Sequence, residues 1–394
     1  MELSGRARLG LGDNVLAQTA ARLEAQGVAV TALTDTNPTR HGLSDPAVIA
    51  ALAAAARRSG YYEPSPRGPL EAREALAARF GGSPEQYWLA ASTSEAYAWL
   101  LALVADAGGV VAVPQPGYPL VEPLARLAGL STIGYPLHYV AGHGWVYDLA
   151  GFGAAADRAA ATVLVDPGNP TGAYLAPATA AQVAELALRH ASVPIIDQVF
   201  YTYRLTDGGG EGPRGAELPE WDAPGAPLSF RLDGLSKLAC APGVKLAWIR
   251  LAGPAGEAAA AAKALDAIAD TYLNVSTTAA LALADILQQA DRIGEALRGR
   301  LRRNLRALAQ ALAPAATVRR VEGGWVAIVD PVVVPEGADP ALWLLEHAHL
   351  SVHPGWLYDL AENDAIVVSL LPEPEQFDAG IAALRAGLDR LAAS

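Results

Sequence analysis

The sequence predicts an α/β protein whose main sheet is mostly parallel, followed by a smaller α+β unit. Three observations carry this expectation. Between residues 87 and 251, short apolar runs alternate with amphipathic, alanine-rich stretches, the pattern of parallel strands covered on both faces by helices. Hydrophobic residues make up 52% of the 394, ample for an extended core, while charged residues are only 18%. After Gly253 the pattern changes to long alanine-rich helices with isolated strands.

Ser44-Asp45-Pro46 opens the first helix, over 47–58, because a polar cap and a proline in the first turn suit the free N–H groups there. A second helix covers 70–80 and stops at Gly81-Gly82. Strands then follow at 87–91, 109–113, 162–165 and 193–200, with helices at 95–105, 118–127 and 177–190 between them. The stretch 205–227 is rich in Gly and Pro and reads as a surface loop. Strands at 228–232 and 246–251 flank a turn that carries a lysine. Helices fill 255–311, strands at 318–329 and 365–371 surround a helix near Leu342, and a helix over 375–391 closes the chain. Neither an internal repeat nor a low-complexity linker interrupts this order.

Charge narrows the partners. The net charge is -12, from 29 basic and 41 acidic residues, and no Lys/Arg-rich block occurs. Nucleic acid is not expected, since neutralising phosphates needs clustered cations. Cys240 is the single cysteine, which rules out an internal disulfide and a cysteine-rich zinc site. Neither an apolar signal core nor a run long enough to span a bilayer appears, so a cytoplasmic setting is expected. His347 and His349 are two residues apart and cannot share a helix face, so with His353 they read as surface positions rather than a metal cluster.

The chemistry is concentrated in Leu232-Asp-Gly-Leu-Ser236-Lys237-Leu-Ala-Cys240-Ala-Pro-Gly-Val-Lys245. A lone lysine among apolar and small residues loses proton affinity, because desolvation penalises the ammonium form. A neutral amine attacks an aldehyde to form a Schiff base, which is the chemistry of pyridoxal 5'-phosphate. Four other stretches could complete such a site. Ala91-Ser92-Thr93-Ser94-Glu95 places hydroxyls and backbone N–H groups at a helix N-terminus, a natural phosphate cradle, though Ser92 and Glu95 would also make a capping box. Pro114-Gln-Pro-Gly-Tyr118 presents an aromatic after a turn, and Asp166-Pro-Gly-Asn169-Pro170-Thr171-Gly172 is a strand-to-helix turn. Pro194-Ile-Ile-Asp197-Gln-Val-Phe200-Tyr201 sets a carboxylate at the end of an apolar strand, where ligands of parallel sheets bind.

Taken together and in this order, these stretches resemble the class I/II aminotransferases, the fold type I group of pyridoxal-phosphate enzymes. The resemblance implies a large domain with a mainly parallel, seven-stranded-type sheet. It divides the chain into an N-terminal arm and part of the small domain at 1–40, a large cofactor domain at 41–275 and the small C-terminal domain at 276–394. Lys237 is then the Schiff-base lysine, which is also expected to shuttle the substrate's Cα proton. Asn169 hydrogen-bonds the cofactor's phenolic oxygen, Asp197 pairs with the ring nitrogen and Tyr118 stacks on the ring. Ser92, Thr93, Ser236 and Lys245 hold the phosphate.

Five positions depart from the family, among them Ser92, where a glycine is usual. Phe200 stands where a tyrosine is common, and Gly234 where a hydroxyl is common. Lys245 stands where an arginine usually grips the phosphate, and lysine lacks the bidentate fork. Val367 takes the place of the arginine that holds the substrate carboxylate. Asn37, Arg40 and Tyr62 are the substrate-side candidates, with Arg40 preferred over Arg67, and Tyr62 in a segment expected to reach a neighbouring subunit. The expected activity is amino-group transfer between a small-molecule amine or amino-acid donor and a carbonyl acceptor, in a homodimer. Elimination, decarboxylation-coupled deamination or cyclisation on the same cofactor is the alternative reading. A non-catalytic protein on the same fold is a third.

Overall fold

The computed structural model describes residues 4–7, 9, 14–206, 219–273, 275–361 and 364–394. Most of the proposed 205–227 loop therefore lies outside the described residues. Among the described residues, no helix is long and apolar enough to cross a membrane.

An eight-stranded sheet forms the larger part. From one edge to the other its strands are Tyr87–Ala90, Ala247–Ala252, Ser229–Gly234, Val193–Asp197, Ala161–Val165, Val110–Gln115, Ser131–Val140 and Gly144–Tyr147. The strands from Ser229–Gly234 to Ser131–Val140 run parallel to their neighbours in that group. Ala247–Ala252 is antiparallel to both of its neighbours, and Gly144–Tyr147 folds back on Ser131–Val140. Ile195, Ile196, Val163 and Leu164 are fully buried, as expected of strands covered on both faces. Helices Thr93–Val104 and Ala255–Thr271 cover one face, packing Trp99 and Leu265 into its core. Leu149–Ala156 and Pro177–Arg189 cover the other with Phe152 and Val183.

A second, antiparallel sheet has four strands in the order Ala316–Val318, Val326–Pro331, Ile366–Ser369 and His353–Pro354. The Leu283–Leu312 helix packs beside it, and the Pro374–Leu391 helix packs on Leu283–Leu312. One continuous core joins the two parts: Leu76, Tyr87, Leu235 and Trp248 share it with Leu297, Ala327, Val368 and Phe377.

The parallel sheet and the helical second part follow the sequence expectation, with an added strand. The stretch 128–160 carried no assignment, yet it holds the Ser131–Val140 and Gly144–Tyr147 hairpin and a helix. Gly134 and Pro136 interrupt the strand pattern there. The 193–200 strand ends at Asp197, and the 118–127 helix begins only at Val121, because the residue before Pro119 is steered away from the helical region. The 318–329 strand is two strands parted at Gly323-Gly324. Helix Val15–Ala25, capped by Asn14, was not anticipated.

Candidate active site

A cavity of about 460 Å³ lies beyond the carboxyl ends of the parallel strands. Its wall brings together Ser92, Thr93, Tyr118, Asn169, Asp197 and Lys237, with Ser236 and Lys245 beside them. These are all of the residues assigned to the cofactor from sequence.

Lys237 sits on a single helical turn, Leu235–Leu238, that follows strand Ser229–Gly234 directly. The Tyr203 hydroxyl donates to the Lys237 carbonyl at 2.6 Å and fastens that turn. The amine Nζ lies 4.8 Å from the Trp325 ring centroid and 5.5 Å from that of Phe200. Phe200 and Tyr203 both meet Trp325 edge-on, with ring centroids 5.4 and 5.2 Å apart. Burial among these rings lowers the lysine pKa, against the opposing pull of Cys240 and Asp197. Ring faces attract the ammonium form, so the cage tempers the loss of basicity without reversing it.

Asp197 is the last residue of its strand, buried, with a backbone N–H and a hydroxyl as its direct partners. Val199 N donates to Oδ1 at 3.1 Å, and the Tyr97 hydroxyl donates to Oδ2 at 3.1 Å. Burial raises its pKa to about 6, while those two hydrogen bonds and Lys237 act to lower it. Tyr97 comes from the second turn of helix Thr93–Val104 and is itself buried.

Asn169 Oδ1 is buried without a protein hydrogen-bond partner among the described residues. Such a group normally waits for a ligand or water. The loop that carries it is clamped from the second sheet, because Glu322 N and Gly323 N donate to the Gly172 carbonyl at 3.1 and 2.8 Å. Gly172 has φ +65°, and a Cβ there would come 2.7 Å from the Gly323 carbonyl. Only glycine fits this crossing.

The Ser92 hydroxyl caps helix Thr93–Val104 by accepting from Glu95 N at 3.1 Å, and Glu95 Oε2 accepts from Ala91 N at 2.6 Å. The expected reciprocal box is therefore present one residue displaced at its second contact. Thr93 and Ser94 face the cavity from the same helix start, where the dipole favours an anion. Lys245 adds a charge, and its backbone has φ +57°, a left-handed conformation unusual for a side-chain-bearing residue.

The proposed substrate-side residues stand elsewhere. Asn37 spends its Oδ1 on Thr39, accepting from its N at 3.1 Å and its hydroxyl at 2.8 Å. Arg40 is exposed and pairs with Asp35 at 3.3 Å, and Tyr62 is 59% exposed. None of the three lines the cavity, whereas Thr36 does. Arg67 forks onto Asp266 at 2.6 and 2.7 Å and lies over Trp88, a structural pairing. Val367 is fully buried in its strand, opposite Ile328 and His353.

His353 is not a surface residue: it lines the cavity, edge-on to Tyr358 at 5.9 Å. Tyr97, Trp325, His353 and Tyr358 are among the wall residues that the sequence did not point to. Of these, only Trp325 carried a signal, the Gly323-Gly324 pair that releases it from a regular strand. Among the described residues no three His, Cys, Asp or Glu side chains gather as metal ligands.

Comparison with known proteins agrees with this architecture. An alanine aminotransferase of Mycobacterium bovis is 29% identical over 268 residues, covering 65% of this chain and 59% of its own length. Nicotianamine aminotransferase B of Hordeum vulgare is 26% identical over 315 residues, 71% of this chain and 53% of its own. The chain thus spans under two thirds of these curated relatives. Among solved structures, an alanine aminotransferase from Pyrococcus furiosus superposes with a TM-score of 0.87 at 20% identity, covering 99% of this chain and 100% of its own. An aminotransferase from Escherichia coli gives 0.86 at 20% identity, over 100% and 99%. At these identities the superpositions establish the fold. The family model for class I and II aminotransferases matches residues 34–357, and the chain belongs to that family.

Proposed function

We propose that the protein is an aminotransferase that moves an amino group from an amine or amino-acid donor to a carbonyl acceptor. Its family works with pyridoxal 5'-phosphate. The observation that carries the proposal is the meeting of a depressed amine, a buried carboxylate and an orphaned amide in one cavity.

The residues present fit that cofactor. Asp197 offers a negative charge to a protonated ring nitrogen, and Tyr118 offers a ring face. A half-turn of the Asn169 amide exchanges Oδ1 and Nδ2, so its buried end can donate to a phenolic oxygen. Ser92, Thr93, Ser236 and Lys245 surround the place for a phosphate. Bound there, the cofactor supplies an electron sink for the bond broken at the donor's Cα. Lys237 is the base that would take the proton from that carbon and hold it at Nζ, for which a lowered pKa suits it. The reading extends to a homodimer, for which the exposed Tyr61 and Tyr62, at 76% and 59%, are the contact residues it assigns. It also extends to a cytoplasmic setting and to the division at 1–40, 41–275 and 276–394.

A panel of amino donors, including amines without an α-carboxylate, tests the proposal. Product that forms only with a carbonyl acceptor supports transfer. Keto product without acceptor indicates elimination or deamination instead. No absorbance band from a lysine-bound cofactor after adding pyridoxal phosphate would sink both.

Two substitutions probe the supporting residues. Lys245→Gly is expected to stabilise the cofactor-free protein by about 1 kcal/mol, because glycine carries no left-handed strain. It should also weaken cofactor binding about tenfold or more through the lost charge-assisted contact. Thermal unfolding and cofactor titration read the two effects. Tyr97→Phe removes one donor from Asp197 and is expected to raise that carboxyl's pKa further. The pH dependence of the bound cofactor's absorbance should then shift upward, which loss of packing alone would not produce.

A further inference from the structure

Behind His353 lies a second cavity, of about 220 Å³. His353 and Leu357 line both cavities and so form the partition between them. On the near side the partition continues into Trp325, Val326 and Tyr358. On the far side the walls are mainly apolar, with Ala17 and Ala20 of helix Val15–Ala25, Leu345 of helix Pro340–Ala348, Val352 and Trp356, and they include the uncharged polar residues Asn14, Thr34 and Ser351. The Trp356 Nε1 is already satisfied by Asp339 Oδ2 at 3.1 Å, so its polar edge is spent. No Asp, Glu, Lys or Arg among the described residues lines the second cavity. Burial lowers the His353 pKa, against a hydrogen bond that the ring donates to the Thr34 backbone, which raises it, so the ring is biased toward its neutral form. A charged group pushed past it would leave bulk water in part and meet no counter-charge on these walls. Methylene groups would gain from the same surroundings.

We infer that the donor's side chain runs past His353 and Leu357 into this second compartment, so that the preferred donor carries a slender apolar chain with no charge at its far end. This rests on the reading of the protein as an aminotransferase, and it makes His353 a specificity-determining residue. The compartment is roofed by the N-terminal helix, which thereby becomes part of the substrate site.

The full-length, cofactor-loaded protein is tested with two straight-chain series, from propylamine to octylamine and from L-alanine to L-2-aminooctanoate. Values of kcat and KM are read separately, and calorimetry of the alkylamines reads binding without turnover. KM and the dissociation constant are expected to fall about fourfold per added methylene until the compartment is full, with kcat nearly constant. Ala17→Trp and, independently, Ala20→Trp should flatten that dependence by filling the compartment from an exposed helix. Ala21→Trp, on the same helix but off the cavity wall, should leave it intact. Length-independent KM and binding, or the same response from the Ala17 and Ala21 variants, would overturn the inference. Chain-length-dependent binding without any amino-group transfer would instead overturn the aminotransferase reading and leave the compartment standing.

Discussion

Lys237→Ala is expected to cut amino-group transfer by at least about a thousandfold, the size of a lost proton-transfer group, and to abolish the lysine-bound cofactor band. Two functions go with one amine: the covalent tether and the group that moves the Cα proton. The fold should survive, because the Tyr203 hydroxyl bonds the residue's backbone carbonyl and not its side chain. Borohydride treatment of the wild type followed by peptide mass analysis makes the assignment sharp. Cofactor mass on the peptide containing Lys237 is the expected result. Fixation to Lys245 or Lys263 would show that the reactive amine has been misplaced.

Asp197→Asn is expected to move stability and cofactor retention in opposite directions. In the cofactor-free protein the folded state binds this carboxyl's proton more tightly than the unfolded chain, since burial raises its pKa from 3.8 to about 6. Its ionisation therefore destabilises the fold progressively as pH rises from about 4 to 6, and the cost, on the order of 3 kcal/mol, is fully present above that window. Asparagine has no charge to bury. The variant should gain much of that stability at neutral pH and lose the corresponding slope in urea unfolding. Asp233, which burial also holds well above its ordinary value, is raised further by the Asp197 charge, so the difference between the two profiles contains the response of Asp233 as well as the loss of Asp197. With the pairing charge gone, cofactor affinity should drop by about two to three powers of ten. A variant that retains cofactor as tightly as the wild type would remove Asp197 from the site.

The contrast between what the residues announced and what they concealed has a physical basis. Asn169, Asp197 and Lys237 lie in short local strings whose turn chemistry and apolar flanks are visible in one dimension. Their convergence follows from the parallel sheet, because each string ends a strand or follows one. Tyr97 was hidden because an aromatic in a helix reads as packing, and its partner lies 100 positions away. His353 and Tyr358 reach the cavity only through the pairing of a two-residue strand with Ile366–Ser369, a register that no local pattern encodes. Asn37 and Arg40 lie off the cavity wall for a local reason. Their string suggested a pocket border, and in the fold local capping engages the Asn37 Oδ1 while a single exposed ion pair turns Arg40 toward Asp35. The hairpin after residue 130 was lost to Gly134 and Pro136, which break the alternation that marks strands elsewhere.

The rings around the Lys237 amine come from different sheets. Phe200 and Tyr203 follow a strand of the larger one, while Trp325 leads into the smaller. The base strength of the amine is therefore a property of the seam between them. Any sliding of one sheet against the other would carry Trp325 across the ammonium and change how readily it gives up its proton. A mechanical displacement distant from the cofactor would be felt as a change in acidity at the reacting nitrogen.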